Sequence, residues 1–369
     1  MHPYILLAAI FGIGAYLEDV VSKDARRRWL HVGMIVFLAI VGFRYRHGDY
    51  GTYEWGYNLG IDVGEDWGYY NLGLLFRQIG LSFQTFVFFL TAVSIYAFRK
   101  AFKLSPWPLF GWLVILGKIF TLYAMSGIRQ YMAIALCWWA IYELLANRRR
   151  ILFFLLVAIA YTFHGSAIIL LPVYFFRDTS FSYIKGVLLI GVSVVLAYYS
   201  NLVFAFAIDS SEIVSDRFGG YVSSSAEGVG MGMNLLNYLE NFLFLFLALL
   251  VRPKAIQKVP YYDFFLYMFI IYCGFLIVGD EVGIVKRLRD YYSLAYAILV
   301  PSYVYLFKSK DQQICKLVLS AYFILLMFRS LYVYDSVFPS NAYGRMIPYH
   351  SVLDKGSMSA EYGIMLNYD

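Results

Sequence analysis

An all-α bundle of transmembrane segments is the fold class this sequence predicts, and three observations predict it. Hydrophobic residues make up 61% of the 369 and charged residues only 15%, against roughly a quarter charged in soluble domains. Mean hydropathy is +0.64. Apolar runs long enough to cross a bilayer recur from one end of the chain to the other, and a helix satisfies its own backbone in lipid. A transmembrane barrel would instead alternate over segments of about ten residues. No stretch is long and polar enough for a second folded domain. Residues 1–369 therefore read as a single integral-membrane domain, with external loops at about 44–82, 206–234 and 279–290 and a tail at 329–369.

Several classes are set aside at this level. The three cysteines, Cys137, Cys273 and Cys315, are odd in number and fall in apolar segments, so they read as small packing residues. The histidines are scattered without ligand spacing, and no metal or other cofactor is expected. No nucleotide-binding loop and no HExxH occurs, and nucleic acid is not an expected partner. The first apolar segment lacks a basic start and a small-residue cleavage site, so no cleavable signal peptide is expected.

Segment one runs from about Tyr4 to Leu17 and is followed by Lys23, Arg26, Arg27 and Arg28. By the positive-inside rule that cluster is cytoplasmic and the N-terminus lies outside. Segment two, about Trp29 to Phe43, returns to the outer face and delivers Arg44 there. Residues 44–68 lie outside. The amphipathic stretch Tyr69–Gln78 is too short to span and reads as an interfacial helix. Segment three, Phe83 to Phe98, stops at Arg99, Lys100 and Lys103. Segment four, Trp107 to Met125, starts at Pro106 and Pro108, where proline is tolerated. A tight turn, Ser126-Gly127-Ile128-Arg129-Gln130, precedes segment five, Tyr131 to Ala146, which ends inside at Arg148, Arg149 and Arg150.

Residues 151–177 decide the topology. As one helix they would put every later basic cluster on the wrong side. As a hairpin broken at His164-Gly165-Ser166 they keep Arg177 and Lys185 inside. A break at membrane depth must be buried in protein or line a wet cavity. Segment eight, about Val187 to Leu202, leads to the long polar loop 206–234. Segment nine, Leu235 to Val251, ends at Arg252, Lys254 and Lys258. Segment ten, Tyr261 to Val278, leads out to a cluster containing Lys286, Arg287 and Arg289. Segment eleven, Tyr291 to Phe307, and segment twelve, about Ile314 to Phe328, complete the bundle. The count is twelve with both termini outside.

Cytoplasmic cations need no function beyond orientation. Those on the outer side, Arg44, Arg46, Arg129, Lys286, Arg287 and Arg289, come from three distant parts of the chain, each beside a helix end. Arginine offers a planar fork of donors suited to phosphate, so a lipid-linked phosphate or pyrophosphate is one explanation. Ordinary loop salt bridges to Asp49, Asp280, Glu281 and Asp290 are the other, and the sequence divides evenly between them. Tyrosines number 35. Those of the outer stretches, including Tyr45, Tyr50, Tyr53 and Tyr57, suit sugar stacking as well as packing. His164 has the ordinary titration range of a general base, or links helices by a hydrogen bond. Asp49 is the rival base, and Glu240 a further polar group near the outer end of segment nine.

A set of motifs in order adds a family. They are Phe43-Arg44-Tyr45 with Gly48-Asp49-Tyr50 and Tyr53; Gly127-Ile128-Arg129-Gln130 opening a helix; Phe163-His164-Gly165-Ser166-Ala167 in a broken apolar pair; Arg287 four residues before Tyr291, with Pro301 ten further on; and Pro348-Tyr349. In these the chain resembles the EpsG/Wzy group of membrane polysaccharide polymerases, which act in O-antigen, capsule and exopolysaccharide synthesis. The resemblance implies a glycosyltransferase of the bacterial inner membrane, its active site facing the periplasm, that joins repeat units carried on undecaprenyl diphosphate without a metal. It places Arg44, Arg46, Arg129, Arg287 and Arg289 on the pyrophosphate and His164 or Asp49 as the base. Tyr50, Tyr53, Gln130, Tyr291 and Tyr349 are the implied substrate contacts. The implied partners are the lipid-linked oligosaccharide, the bilayer, and the chain-length regulator and flippase of the same pathway. The loop 206–234 is shorter than that of some relatives.

Three other activities compete. An O-antigen ligase-like enzyme would use the same chemistry on a different acceptor. A flippase for lipid-linked oligosaccharide should show internal repeats and charge spread through the bundle, whereas here no clear repeat occurs and the unusual charge is biased outward. A non-catalytic scaffold would retain its role with Arg44, Arg129 and His164 altered.

Overall fold

The computed structural model describes residues 2–62, 66–210, 231–281, 285–337 and 344–354. Among them the backbone is helical, with two isolated bridges and no strand. Of the expected external elements, residues 211–230 and 282–284 and the tail beyond 354 lie outside the described residues. By length and composition, four helical stretches can cross a bilayer: Phe83–Leu104, Leu235–Ala255, Tyr262–Gly279 and Ser309–Ser336. Shorter apolar helices accompany them, at Pro3–Leu17, Pro108–Lys118, Arg150–Phe163, Gly165–Phe176 and Tyr183–Tyr199. The chain is thus an all-helical membrane protein.

The contacts divide the chain into two compact units, Met1–Ile168 with Gln313–Asp369, and Ile169–Gln312. In the first, α1 (Pro3–Leu17) begins on a proline at its first turn, and α2 (Lys23–Gly42) is capped by Ser22, whose hydroxyl accepts the Ala25 N–H at 3.2 Å. Then come α3 (Tyr50–Leu59), α4 (Trp67–Gln78), α5 (Phe83–Ala101), α6 (Pro108–Lys118), α7 (Ile128–Leu145) and α8 (Arg150–Phe163). Their core is aromatic. Trp112 of α6 is fully buried among the rings of Phe11, Phe37, Phe98 and Phe102. Glu18, just past α1, turns its carboxyl group onto the start of α6 and accepts the N–H groups of Leu109 and Phe110 at 2.8 and 3.1 Å. Those are two of the donors a helix start leaves without an internal partner. Asp19 beside it accepts the Trp107 indole at 2.9 Å and pairs with Lys316.

In the second unit α9 (Tyr183–Ser210), α10 (Met231–Ala255) and α11 (Tyr262–Glu281) are followed by α12 (Val285–Leu288) and a tight turn at Arg289–Tyr292. Arg252 grips Asp263 with two nitrogens at 2.7 and 2.9 Å, and Asp263 also accepts the Phe181 N–H at 2.9 Å. The final long helix, α14 (Ser309–Ser336), runs back into the first unit, where Phe323 fits against Gly117.

Several expectations change, and the expected loops 206–234 and 279–290 are helical in part, at 206–210, 231–234, 279–281 and 285–290. Residues 44–68 contain a helix, α3, where a loop was expected; its Tyr50, Tyr53 and Gly56 are buried, and packing offsets the poor helix propensity of its glycines. Segment four is α6 followed by a widened turn at Phe120–Ala124. Segment eleven is broken into α13 (Leu294–Leu299) and a tighter helix, Val300–Leu306, where Pro301 brings no N–H. The twelfth segment continues to Ser336, so the first part of the expected tail is helical. The break at residue 164 stands as expected: α8 ends at Phe163, His164 is extended, and a tight helix, Gly165–Phe176, follows.

Candidate functional site

Arg44 leaves the end of α2 and is 1% exposed. Its Nε donates to the Met125 carbonyl at 3.1 Å and one terminal nitrogen to the Val41 carbonyl at 2.7 Å. The widened turn at 120–124 offers that Met125 carbonyl, because a wider turn shifts backbone pairing out of the regular helical register. Tyr50, Tyr69, Tyr131 and Tyr349 surround the guanidinium. No carboxylate among the described residues pairs with it. Burial pulls its pKa below the ordinary arginine value, yet an arginine stays charged. Among the described residues, the site therefore holds a buried cation balanced by backbone dipoles.

The next residues are held by the end of the chain. The Tyr45 N–H donates to the His350 carbonyl at 3.0 Å, the Gly48 N–H to the Gly344 carbonyl at 2.8 Å, and the Val352 N–H to the Phe43 carbonyl at 3.0 Å. His47 is wholly buried at the centre of this clasp. Its Nδ1 lies 2.7 Å from the Arg345 carbonyl, and its Nε2 accepts the His350 N–H at 3.0 Å. Nε2 also lies 3.1 Å from the His350 carbonyl; a neutral ring protonated at Nδ1 satisfies the Arg345 carbonyl and the His350 N–H together. Burial, with the nearby Arg44 charge assisting, pushes its pKa down to about 4. Tyr349 of the same clasp donates to the Ile40 carbonyl at 2.8 Å and stacks on His47. Arg46 takes a left-handed φ of 61° and lies 4.8 Å from the Tyr45 ring centroid. Gly48 has φ 57°, and a Cβ there would come 2.4 Å from Ser126. Only glycine admits that approach, which lets the Ser126 hydroxyl accept the Asp49 N–H at 3.3 Å. Asp49 itself is exposed.

Helices α3 and α4 add the next layer. Tyr50 donates to the Gln84 side-chain carbonyl at 2.8 Å. Tyr53 accepts from Arg129 Nε at 3.3 Å, and the Arg129 guanidinium lies 5.0 Å from its ring centroid. Tyr69 sits where the charges of Arg44 and Arg129 both act on it. Its hydroxyl is buried without a hydrogen-bond partner, as is that of Tyr131. Arg129, in the first turn of α7, is 18% exposed and therefore more accessible than Arg44. Gln130 beside it is buried.

The partner of Arg129 is Asp66, at the start of α4, with its carboxylate 2.8 Å away. Asp66 also accepts the Gly165 N–H, which ties it to the break after α8. Burial pushes its pKa up to about 6, against the opposing pull of Arg129 and of that N–H. The approach of α4 to α8 is close: a Cβ at Gly68 would fall 2.0 Å from the Thr162 hydroxyl. His164 lies in the break, its Nδ1 2.5 Å from the Ser166 hydroxyl. Sequence reasoning missed Asp66, although an aspartate immediately before an amphipathic helix is a recognisable helix-start signal.

The first unit thus brings together Arg44, Arg46, Asp49, Tyr50, Tyr53, Arg129, Gln130, His164 and Tyr349. Arg287, Arg289 and Tyr291 belong to the second. There Arg287 is exposed, Tyr291 is buried, and Arg289 lies 3.7 Å from Asp290 and over the Tyr272 ring. The loop-salt-bridge expectation holds in kind for Arg129 and Arg289, with Asp66 replacing the expected acids in the first case. It does not hold for Arg44. Among the described residues no cluster of three or more His, Cys, Asp or Glu could hold a metal ion.

The model of the EpsG family matches residues 28–351, most of the chain and both units. No curated protein and no solved structure matches. The matched span contains the buried Arg44, the Arg129–Asp66 pair and the broken helix at His164, and the chain belongs to the EpsG family of Wzy-like polysaccharide polymerases.

Proposed function

We propose that the protein polymerises oligosaccharide repeat units carried on undecaprenyl diphosphate, at the periplasmic face of the bacterial inner membrane. Twelve segments with both termini outside give the topology of this reading, since that arrangement leaves the basic clusters at 23–28, 99–103, 148–150, 252–258 and 308–310 inside. The observation that carries the chemistry is Arg44, a buried cation with no carboxylate partner among the described residues. An uncompensated buried charge is costly, and a diphosphate nearby would offset it.

Arg129 meets the ligand and Arg44 reinforces it from below. The diphosphate displaces Asp66 from Arg129, and the Tyr69 hydroxyl donates to a phosphate oxygen. Arg46, in the same unit, adds a cation for the leaving group, and Arg287 and Arg289 are the candidate phosphate-binding cations of the second unit. An acceptor hydroxyl attacks the anomeric carbon of the growing chain. The new glycosidic C–O bond forms as the bond to the diphosphate oxygen breaks, and undecaprenyl diphosphate leaves with the electron pair. His164 or Asp49 takes the acceptor proton. Charge develops on the leaving oxygens, where fixed guanidinium groups stabilise it without reorganisation. That is the role a divalent ion would otherwise have, so the reaction proceeds in EDTA. Tyr50, Tyr53, Gln130 and Tyr349 shape the substrate site in the first unit, and Tyr291 is the candidate substrate contact of the second.

The test supplies purified protein with undecaprenyl-diphosphate-linked repeat units and EDTA, and resolves products by size. Wild type gives a ladder; Arg129→Ala and His164→Ala give none. A ladder that persists in both variants removes this site. No ladder from verified cognate substrate, with lipid-linked oligosaccharide crossing proteoliposomes, assigns the protein to transport instead. A single addition without a ladder assigns it to ligation.

A further inference from the structure

A second recess lies beside the arginine site. Residues Tyr50, Glu54, Tyr57 and Asn58 are spaced i, i+4, i+7 and i+8, so they share one face of α3. That face forms one wall of a cleft of about 370 Å³, closed by the end of α4 and the start of α5. Its size falls within the roughly 300–1,000 Å³ usual for small-molecule sites. Tyr45 and Phe83 add aromatic walls, and Arg77 stands at the rim. Asn58 is exposed, and its side-chain amide bonds no other described residue. Tyr57 also lines the narrow gap that Arg129 shares with Tyr53 and Tyr69. The two recesses thus share Tyr57 of α3.

The lining selects a class of ligand. The Glu54 carboxylate and the Arg77 guanidinium cancel in charge beside the neutral amides of Asn58 and Gln84, whereas a polyanion would call for cations alone. A prenyl or acyl chain would leave the polar rim without partners. Planar carboxylate, amide and guanidinium groups can each bond two adjacent hydroxyls, and aromatic walls cover the apolar faces of pyranose rings. We infer that this cleft, walled by Tyr45, Tyr57 and Phe83 and rimmed by Glu54, Asn58 and Arg77, binds the oligosaccharide portion of the substrate. The inference rests on the polymerase reading only for the choice of sugar.

The probe is the lipid-free oligosaccharide released by mild acid from the producing cell's own lipid-linked intermediates. Its binding to the full chain in nanodiscs is measured by calorimetry. Wild type binds; Glu54→Gln and Asn58→Ala each weaken binding about tenfold, the loss of roughly 1.4 kcal/mol expected for one good polar contact. Asn58→Trp, which fills the cleft from an exposed position, abolishes binding. Failure of wild type to bind, or equal binding by Asn58→Trp, overturns the cleft assignment, whatever the polymerase assay gives. Binding lost in Asn58→Trp alongside a wild type that makes no polymer keeps the cleft and removes the polymerase reading. Glu54→Gln keeps shape and exposure, so a folding defect in Asn58→Trp does not shield the inference.

Discussion

Asp66 and Arg129 stand 63 positions apart in the chain and 2.8 Å apart in space. The same carboxylate accepts the Gly165 N–H, so a ligand that takes Arg129 also changes the setting of the helix break beside His164. Burial holds the Asp66 pKa up at about 6. Protonation below that pH removes the competing charge from Arg129. Affinity for a short-prenyl diphosphate-linked sugar should therefore rise as pH falls from 7.5 to 5, by about three- to tenfold for a part-exposed pair. Asp66→Asn should bind tightly at both pH values, with most of the slope gone. Calorimetric titration of the two proteins checks this, and an unchanged slope in Asp66→Asn would exclude the pair as its source.

Arg44 supplies the second prediction. Its fork spans two carbonyls, those of Met125 and Val41, and an ammonium group cannot reproduce that planar geometry. Arg44→Lys keeps the charge and should remain folded, but polymer formation should fall at least about tenfold, one lost charge-assisted contact being enough. Initial rates with lipid-linked substrate, beside a melting curve, separate the two effects. Full activity would assign Arg44 to the fold alone.

How far the sequence already carried this picture depends on the range of each interaction. The break at His164-Gly165-Ser166 was legible because charge placement on either side required a return. Helix borders followed local signals, such as Ser82 before α5, whose hydroxyl accepts the Thr85 N–H at 3.2 Å. Helix α3 was not legible: Gly51 and Gly56 argue for a loop, and only burial of Tyr50 and Tyr53 against neighbouring helices reverses that. Nor did spacing reveal that Arg44 bonds carbonyls while Arg129 takes an acid, since both partners are set by tertiary approach. The clasp of 43–48 by 344–352 is likewise a pairing of chain ends that no periodicity encodes.

That clasp should be sensitive to acid. His47 is neutral in the folded protein, with a pKa of about 4 against 6.5 when free. Between those values the unfolded chain binds more protons, so stability is complete above about 6.5 and falls as pH drops toward 4. The shift corresponds to about 3 kcal/mol if the unfolded value is the ordinary one. Melting midpoints in detergent across pH 7 to 4 should fall more steeply for wild type than for His47→Gln. Parallel curves would show that the clasp opens by another route.

Glu18 makes the opposite prediction at the other end of α6. Burial raises its pKa to about 8, held back by the Leu109 and Phe110 N–H bonds and then by Lys316 and Arg26. The folded state therefore holds a proton that the unfolded chain releases near 4.5, so this group's contribution is largest below 4.5 and is lost as pH rises through 8. Glu18→Gln keeps an acceptor oxygen at the helix start and removes the titration. It should flatten the alkaline side of the stability profile and melt close to wild type at pH 7. Glu18→Ala strands both N–H groups and should cost about 1–2 kcal/mol, the usual penalty for deleting a helix cap. Denaturant titrations at pH 6 and 9 distinguish these outcomes: if Glu18→Gln loses as much stability as Glu18→Ala at pH 6, the carboxyl acts through its charge toward Lys316 and Arg26 rather than as an acceptor for α6.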